Sequence, residues 1–228
     1  MSQSSRDASL KSFSQLSRNI AAGALLSMLA FPLGANAAMT TVDRSELEGM
    51  DVVADSGFAE LYQDPDIGNL TFHSIYIAPV VNEVASMDVY DMGLRPYHID
   101  ALGTDFRERV IAAFGDSSLL TDTPDENSLV ITLSLIEVAR MTEVTTGSHL
   151  ARASIENTIR GGANIEMTWR KGVEGDLVMA IRDGRRPEQY DPVAYPGDRW
   201  TDVKGAFDDW STDMAGFFGI EPQQVASN

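Results

Sequence analysis

The chain has no cysteine among its 228 residues. That absence excludes disulfides, thiolate metal sites, a cysteine nucleophile and a lipid carried on an N-terminal cysteine, so stability has to come from a packed core. Histidine is nearly as scarce, with only His73, His98 and His149, each in a different stretch of chain. The two histidines on one helical turn with a glutamate between them, which a zinc protease needs, are missing. So are a G-x-S-x-G nucleophile elbow, a Walker loop and a G-x-G-x-x-G turn. Gly161-Gly162-Ala163-Asn164 opens a strand pattern, the wrong setting for cradling a phosphate at a helix N-terminus. The acidic turn Asp122–Asn127 lacks the spacing and central glycine of a calcium loop, and reads as solvated turn residues. No catalytic, cofactor-binding or metal-ligating residue is therefore assigned.

Positive charge is also in short supply: 17 Lys and Arg face 34 Asp and Glu, a formal net charge of −17. Such a surface repels phosphate backbones and anionic head groups, which argues against nucleic acid and against peripheral membrane binding. Solubility alone accounts for the acidity. The apolar run from Ile20 to Leu33 has 14 residues, short of the roughly 20 that span a bilayer core as a helix. Arg6, Lys11 and Arg18 precede it, Pro32 and Gly34 break it, and Ala35-Asn36-Ala37 follows as a small-x-small site. Residues 1–37 are thus expected to be a secretory signal cut between Ala37 and Ala38, the alternative being an uncleaved anchor. Export would deliver a periplasmic or secreted chain of 191 residues with a net charge of about −19 and no stable membrane insertion.

Periodicity sets out the remainder. Residues 38–55 are polar and acidic and are expected to be a linker; residues 56–220 form one domain, and 221–228 a tail. Between Leu70 and Val84 a nearly continuous β-branched and aromatic run reads as a strand buried on both faces, ended or bulged at Pro79. From Tyr97 to Phe114, Ile99, Leu102, Phe106, Val110 and Phe114 recur every three or four residues, an amphipathic helix stopped by Gly115. Leu129, Ile131, Leu133 and Leu135 on one face, with Val130, Ile136 and Val138 on the other, mark a central strand. Ala163, Ile165, Met167 and Trp169 alternate with Asn164, Glu166, Thr168 and Arg170, predicting one buried and one wet face. Gly172 and Gly175 turn the hairpin, and Leu177, Met179 and Ile181 resume the pattern. On the wet face Glu166, Arg170 and Arg182 could form cross-strand charge pairs. Ala153, Ile155 and Ile159 hint at more of that sheet. The last element, about Trp200 to Phe218, carries Trp200, Val203, Phe207, Trp210, Met214 and Phe217 as an aromatic stripe, with Asp198 or Thr201 as N-cap. This order predicts an α+β two-layer sandwich: a mixed, mostly antiparallel sheet packed against two main helices.

The entry "SGFAELY", the strand ending "IAPV", the hairpin "ANIEMTWRKGVEGDLVMAIRDGRR" and the closing "WTDVKGAFDDWSTDM" together resemble the bacterial family known as domain of unknown function 3313. The resemblance spans about Ser56 to Phe218. It implies a cell-envelope protein of α+β type and supplies no catalytic residues. Members are often lipoproteins; this chain departs from them, since no cysteine follows its apolar run.

The expected role is that of a non-enzymatic periplasmic protein whose partner is another envelope protein. Contact would be made through a sheet edge, the basic loop at Arg185 and Arg186, or the aromatic helix. One alternative is a hydrolase with a site around His98 and Asp100. The other is a small-ligand carrier with a pocket lined by Trp169, Trp210 and Phe207.

Overall fold

Two periodicities in one chain, two-residue and three-to-four-residue, yield two layers here. The computed structural model describes residues 41–84, 95–115, 117–139, 142–143, 158–159, 161–185 and 200–220. Within them the strands are β1 (Asp51–Val52), β2 (Glu60–Gln63), β3 (Ser74–Ile77), β4 (Val81–Asn82), β5 (Ser128–Ala139), β6 (Thr142–Glu143), β7 (Thr158–Ile159), β8 (Gly162–Lys171) and β9 (Leu177–Arg185). The helices are α1 (Pro96–Phe114), between β4 and β5, and α2 (Thr201–Phe217), after β9. Seven strands make one sheet in the order β1-β2-β9-β8-β5-β3, with β4 also on β5; β6 and β7 pair separately. β3 and β4 run parallel to β5, and the other neighbours are antiparallel. The fold is thus the expected α+β sandwich of two helices on a mixed sheet.

The helix-facing side of the sheet is apolar by register. Leu133 of β5 lies opposite Met167 of β8, which lies opposite Ile181 of β9; Ile131, Trp169 and Met179 form the next row. All six are fully buried. Helix α2 lays Phe207, Trp210 and Met214 on this floor, and α1 adds Phe106 and Val110, also fully buried. The rings of Phe106 and Phe207 stack at 4.4 Å, and Phe217 meets Trp169 edge-on at 5.3 Å. Each such side chain contributes about 1.5–3 kcal/mol through burial. Helix α1 ends where expected, at Gly115 with φ of +56°. In the hairpin, Gly172 has φ of +72°, and a Cβ there would meet Glu126 Cα at 3.3 Å.

Three expectations are corrected. The run from Leu70 to Val84 is an edge, not a strand buried on both faces: β3 alternates half-buried and buried residues, and β4 is exposed. Pro79 does separate the two pieces, as expected, because proline cannot donate to a ladder. The second face of the hairpin is not wet, since Glu166 is fully buried and Arg182 is 5% exposed. Nor do residues 41–55 form a free linker; they cover that second face. Val42 packs against Leu177 and Ala180 in a small cluster separate from the main core, a 3-10 turn runs over Arg44–Leu47, and β1 pairs with β2. The backbone N–H and Oγ1 of Thr41 donate to Glu166 Oε2 at 2.8 and 2.7 Å. Arg170 pairs with Glu46 at 2.8 Å rather than across the strands, while Arg182 does face Glu166, at 3.9 Å. The expected leader with its Ala37-Ala38 junction, the tail, Ala153, Ile155 and Asp198 lie outside the described residues; Trp200 stands at the N-cap of α2, without a side-chain cap bond.

Because Thr41 donates to a buried carboxylate, Thr41→Val should cost about 1.5–3 kcal/mol while Thr41→Ser stays near wild type. Urea unfolding measures both, and a wild-type midpoint for the valine variant would mean that the arm is not docked on Glu166.

Candidate functional site

An open groove of about 360 Å³ lies between β4 and the first half of α1. Its helical wall is Asp100, Thr104, Arg107 and Glu108, which share one face because they are spaced by four, three and one residues. Its other wall is Pro79, Val80 and Asn82. Gly103 sets how closely the walls approach, since a Cβ on it would sit 3.3 Å from both Val80 and Asn82. Asn82 Nδ2 donates to Asp100 Oδ1 at 2.7 Å and ties β4 to the helix. Arg107 Nε donates to the Ile77 carbonyl at 3.0 Å, occupying an acceptor on the sheet edge just before Pro79. Further along that edge, Ile75 receives Thr121 N–H on its carbonyl and gives its own N–H to Leu119. Of the two sheet edges, the one at β3 is therefore already covered at Ile75 and at the Ile77 carbonyl.

His98 and Asp100 do not form a dyad. His98 Nδ1 accepts the Arg95 backbone N–H at 3.0 Å, a helix-capping bond that uses the lone pair a general base would need. Asp100 faces the groove and Asn82. Among the described residues no hydrogen bond or ion pair joins the two. The proposed carrier pocket is filled by its own lining: Trp169, Trp210 and Phe207 are fully buried and packed on neighbouring rings. His149 and Arg186 lie outside the described residues.

Arg185 is not in a loop. It is the last residue of β9 and 4% exposed, because α2 packs over it. Its Nε donates to Asp183 Oδ2 at 2.8 Å and its Nη2 to Asp213 Oδ2 at 2.7 Å. The guanidinium lies over the rings of Phe58 and Trp210 at 5.5 and 5.4 Å. Asp183 also accepts Trp210 Nε1–H at 2.8 Å and Ala59 N–H at 3.2 Å. This cluster neutralises charge inside the fold and turns Arg185 away from an outside partner. The sequence contains a hint of it in two opposite charges two residues apart on one strand, but nothing local shows which helix covers them.

The third histidine, His73, is exposed beside the edge strand β3, and its Nε2 lies 3.0 Å from Asp125 Oδ2. Asp125 Oδ1 accepts Ser128 Oγ–H at 3.0 Å and Asn127 N–H at 2.8 Å. The carboxylate stands between serine and imidazole, so the imidazole cannot take the hydroxyl proton as a nucleophilic triad requires. Among the described residues no group of three His, Asp or Glu could hold a metal ion, and no helix is long and apolar enough to cross a membrane.

Removing the Asp183 carboxylate takes the acceptor from Trp210 Nε1–H and Ala59 N–H and leaves Arg185 with Asp213 alone. Asp183→Ala should lower stability by about 3–5 kcal/mol, read by urea unfolding, and Asp183→Asn by less, since the amide oxygen still accepts. For Asp125, the Asn127 N–H, then His73 and Ser128, hold the carboxyl below its ordinary 3.8 despite some desolvation. A depressed folded value means stability that is present above pH 3.8 and lost as pH falls through the lower folded value. Asp125→Asn should therefore start from a lower Tm at neutral pH and lose less of it on acidification than wild type.

A family model described as "Protein of unknown function (DUF3313)" matches residues 41–214. No curated protein matches the sequence. Among solved structures, a PelC dodecamer from Paraburkholderia phytofirmans is similar with a TM-score of 0.38 and 8% identity, covering 68% of this chain and 92% of that chain.

Proposed function

This chain belongs to DUF3313, a family of proteins of unknown function, and on that premise we propose that it is an exported envelope protein that works by binding another envelope protein. The leader-like residues 1–37 support the address, and the groove between β4 and α1 supports the mode of action. One observation carries the reading: the groove is open and lined by Asp100 and Glu108 beside Pro79 and Val80. Two carboxylates above an apolar floor suit an extended partner segment carrying a lysine or arginine. Partner binding by such a groove would weaken with salt, because the charges are exposed.

The test is a photo-cross-linking amino acid placed at Thr104, on the groove wall, in living cells. We expect one envelope protein to be trapped, and Asp100→Lys with Glu108→Lys to abolish trapping while the Tm stays near wild type. Trapping that survives the double charge reversal, or none at Thr104, would rule out this groove as the contact.

A further inference from the structure

The arm formed by residues 41–52 is bound differently from everything else in the fold. Of its residues only Val42 is buried, and that side chain belongs to a small cluster apart from the main core. The other anchors sit at separate points: Thr41 on Glu166, Glu46 on Arg170, and β1 on the free edge of β2. A segment with so few buried contacts opens at a lower free energy than the core it lies on. Opening it uncovers apolar surface, since Val42 packs on Leu177 and Ala180 beneath it.

The turn joining the arm to β2 is strained. Asp55 has φ of +57°, the one non-glycine residue in that region among those described, and Gly57 follows at +83°. A left-handed aspartate is tolerated but unfavourable, and a short strained hinge favours the extended alternative. Straightened, Val53–Gly57 would reach about 17 Å, enough to carry the arm onto the same edge of a neighbouring molecule. Phe58, stacked on Phe217 at 5.7 Å, stays behind as the fixed end of the hinge.

We propose that the arm exchanges between two copies of this chain. Residues 41–52 of one copy dock on Glu166, Arg170 and β2 of the other, and reciprocally. The occupant is a second copy because the uncovered surface is matched, contact for contact, by the segment that already lies on it. Closed and exchanged forms share every arm contact, so hinge strain and protein concentration decide between them. This is independent of the groove and survives its failure.

The cysteine-free background allows a direct test. Asp51 and Gln63 are antiparallel partners across β1 and β2, so Asp51→Cys with Gln63→Cys can form a disulfide in either form. Within one closed molecule it leaves the mass unchanged; across an exchanged pair it yields a covalent dimer. The full chain is unfolded under reduction, refolded and oxidised at low and high protein concentration, then run on non-reducing gels. The expected result is a dimer band that grows with concentration, is absent from both single-cysteine variants, and falls several-fold when Asp55→Gly is added. Monomer-sized product at every concentration would overturn the proposal, as would equal dimer from a single-cysteine variant. If hinge strain has no part in it, Asp55→Gly will leave the dimer fraction unchanged, and the proposal fails on that arm as well.

Discussion

A hairpin buried on both faces must satisfy every charge it carries, and that constraint organises this molecule. β8 and β9 present Met167, Trp169, Met179 and Ile181 to the helices, which is ordinary apolar packing. Apart from Arg170 and Lys171 at the end of β8, their polar residues are buried. Glu166 and Arg182 face each other and the arm, while Asp183 and Arg185 are closed in by α2, Phe58 and Trp210. An unpaired charge in such a place costs several kcal/mol, so the covering segments are obligatory rather than decorative. The arm and α2 thus hold the two ends of one electrostatic problem.

The same constraint moves the surfaces left for function. Features that look like contacts in isolation, an aromatic stripe and an arginine after a strand, are consumed internally. The sheet edge at β3 is occupied by residues 119–121 and by the Arg107 guanidinium. Among the described residues an open surface remains in the groove at Pro79, where the edge ladder is interrupted and the helix stands close to β4 at Gly103.

Much of the architecture was legible along the chain. The helix over Pro96–Phe114, its stop at Gly115, the central strand β5, the turn at Gly172 and the stripe on α2 all follow from local periodicity and local backbone preference. The groove was half legible: Asp100, Thr104, Arg107 and Glu108 lie on one helical face by spacing alone. Pro79 and Asn82 join them only because β4 runs parallel to β5, a pairing between segments more than fifty residues apart. His98 beside Asp100 suggested a site, yet a bond three residues back, to Arg95, engages its Nδ1 in capping the helix.

By itself the amino-acid order determined which residues alternate, which recur every third or fourth position, and which chemistries are missing for want of cysteine and paired histidines. These are properties of neighbours, set by the geometry of a strand or a helical turn. Only the tertiary structure decided that the polar face of the hairpin is covered, that Arg185 points inward, and that an acidic stretch read as linker is a docked arm. Coverage depends on what arrives from far along the chain, and a two-residue alternation looks the same whether its polar face meets water or another segment carrying matching donors.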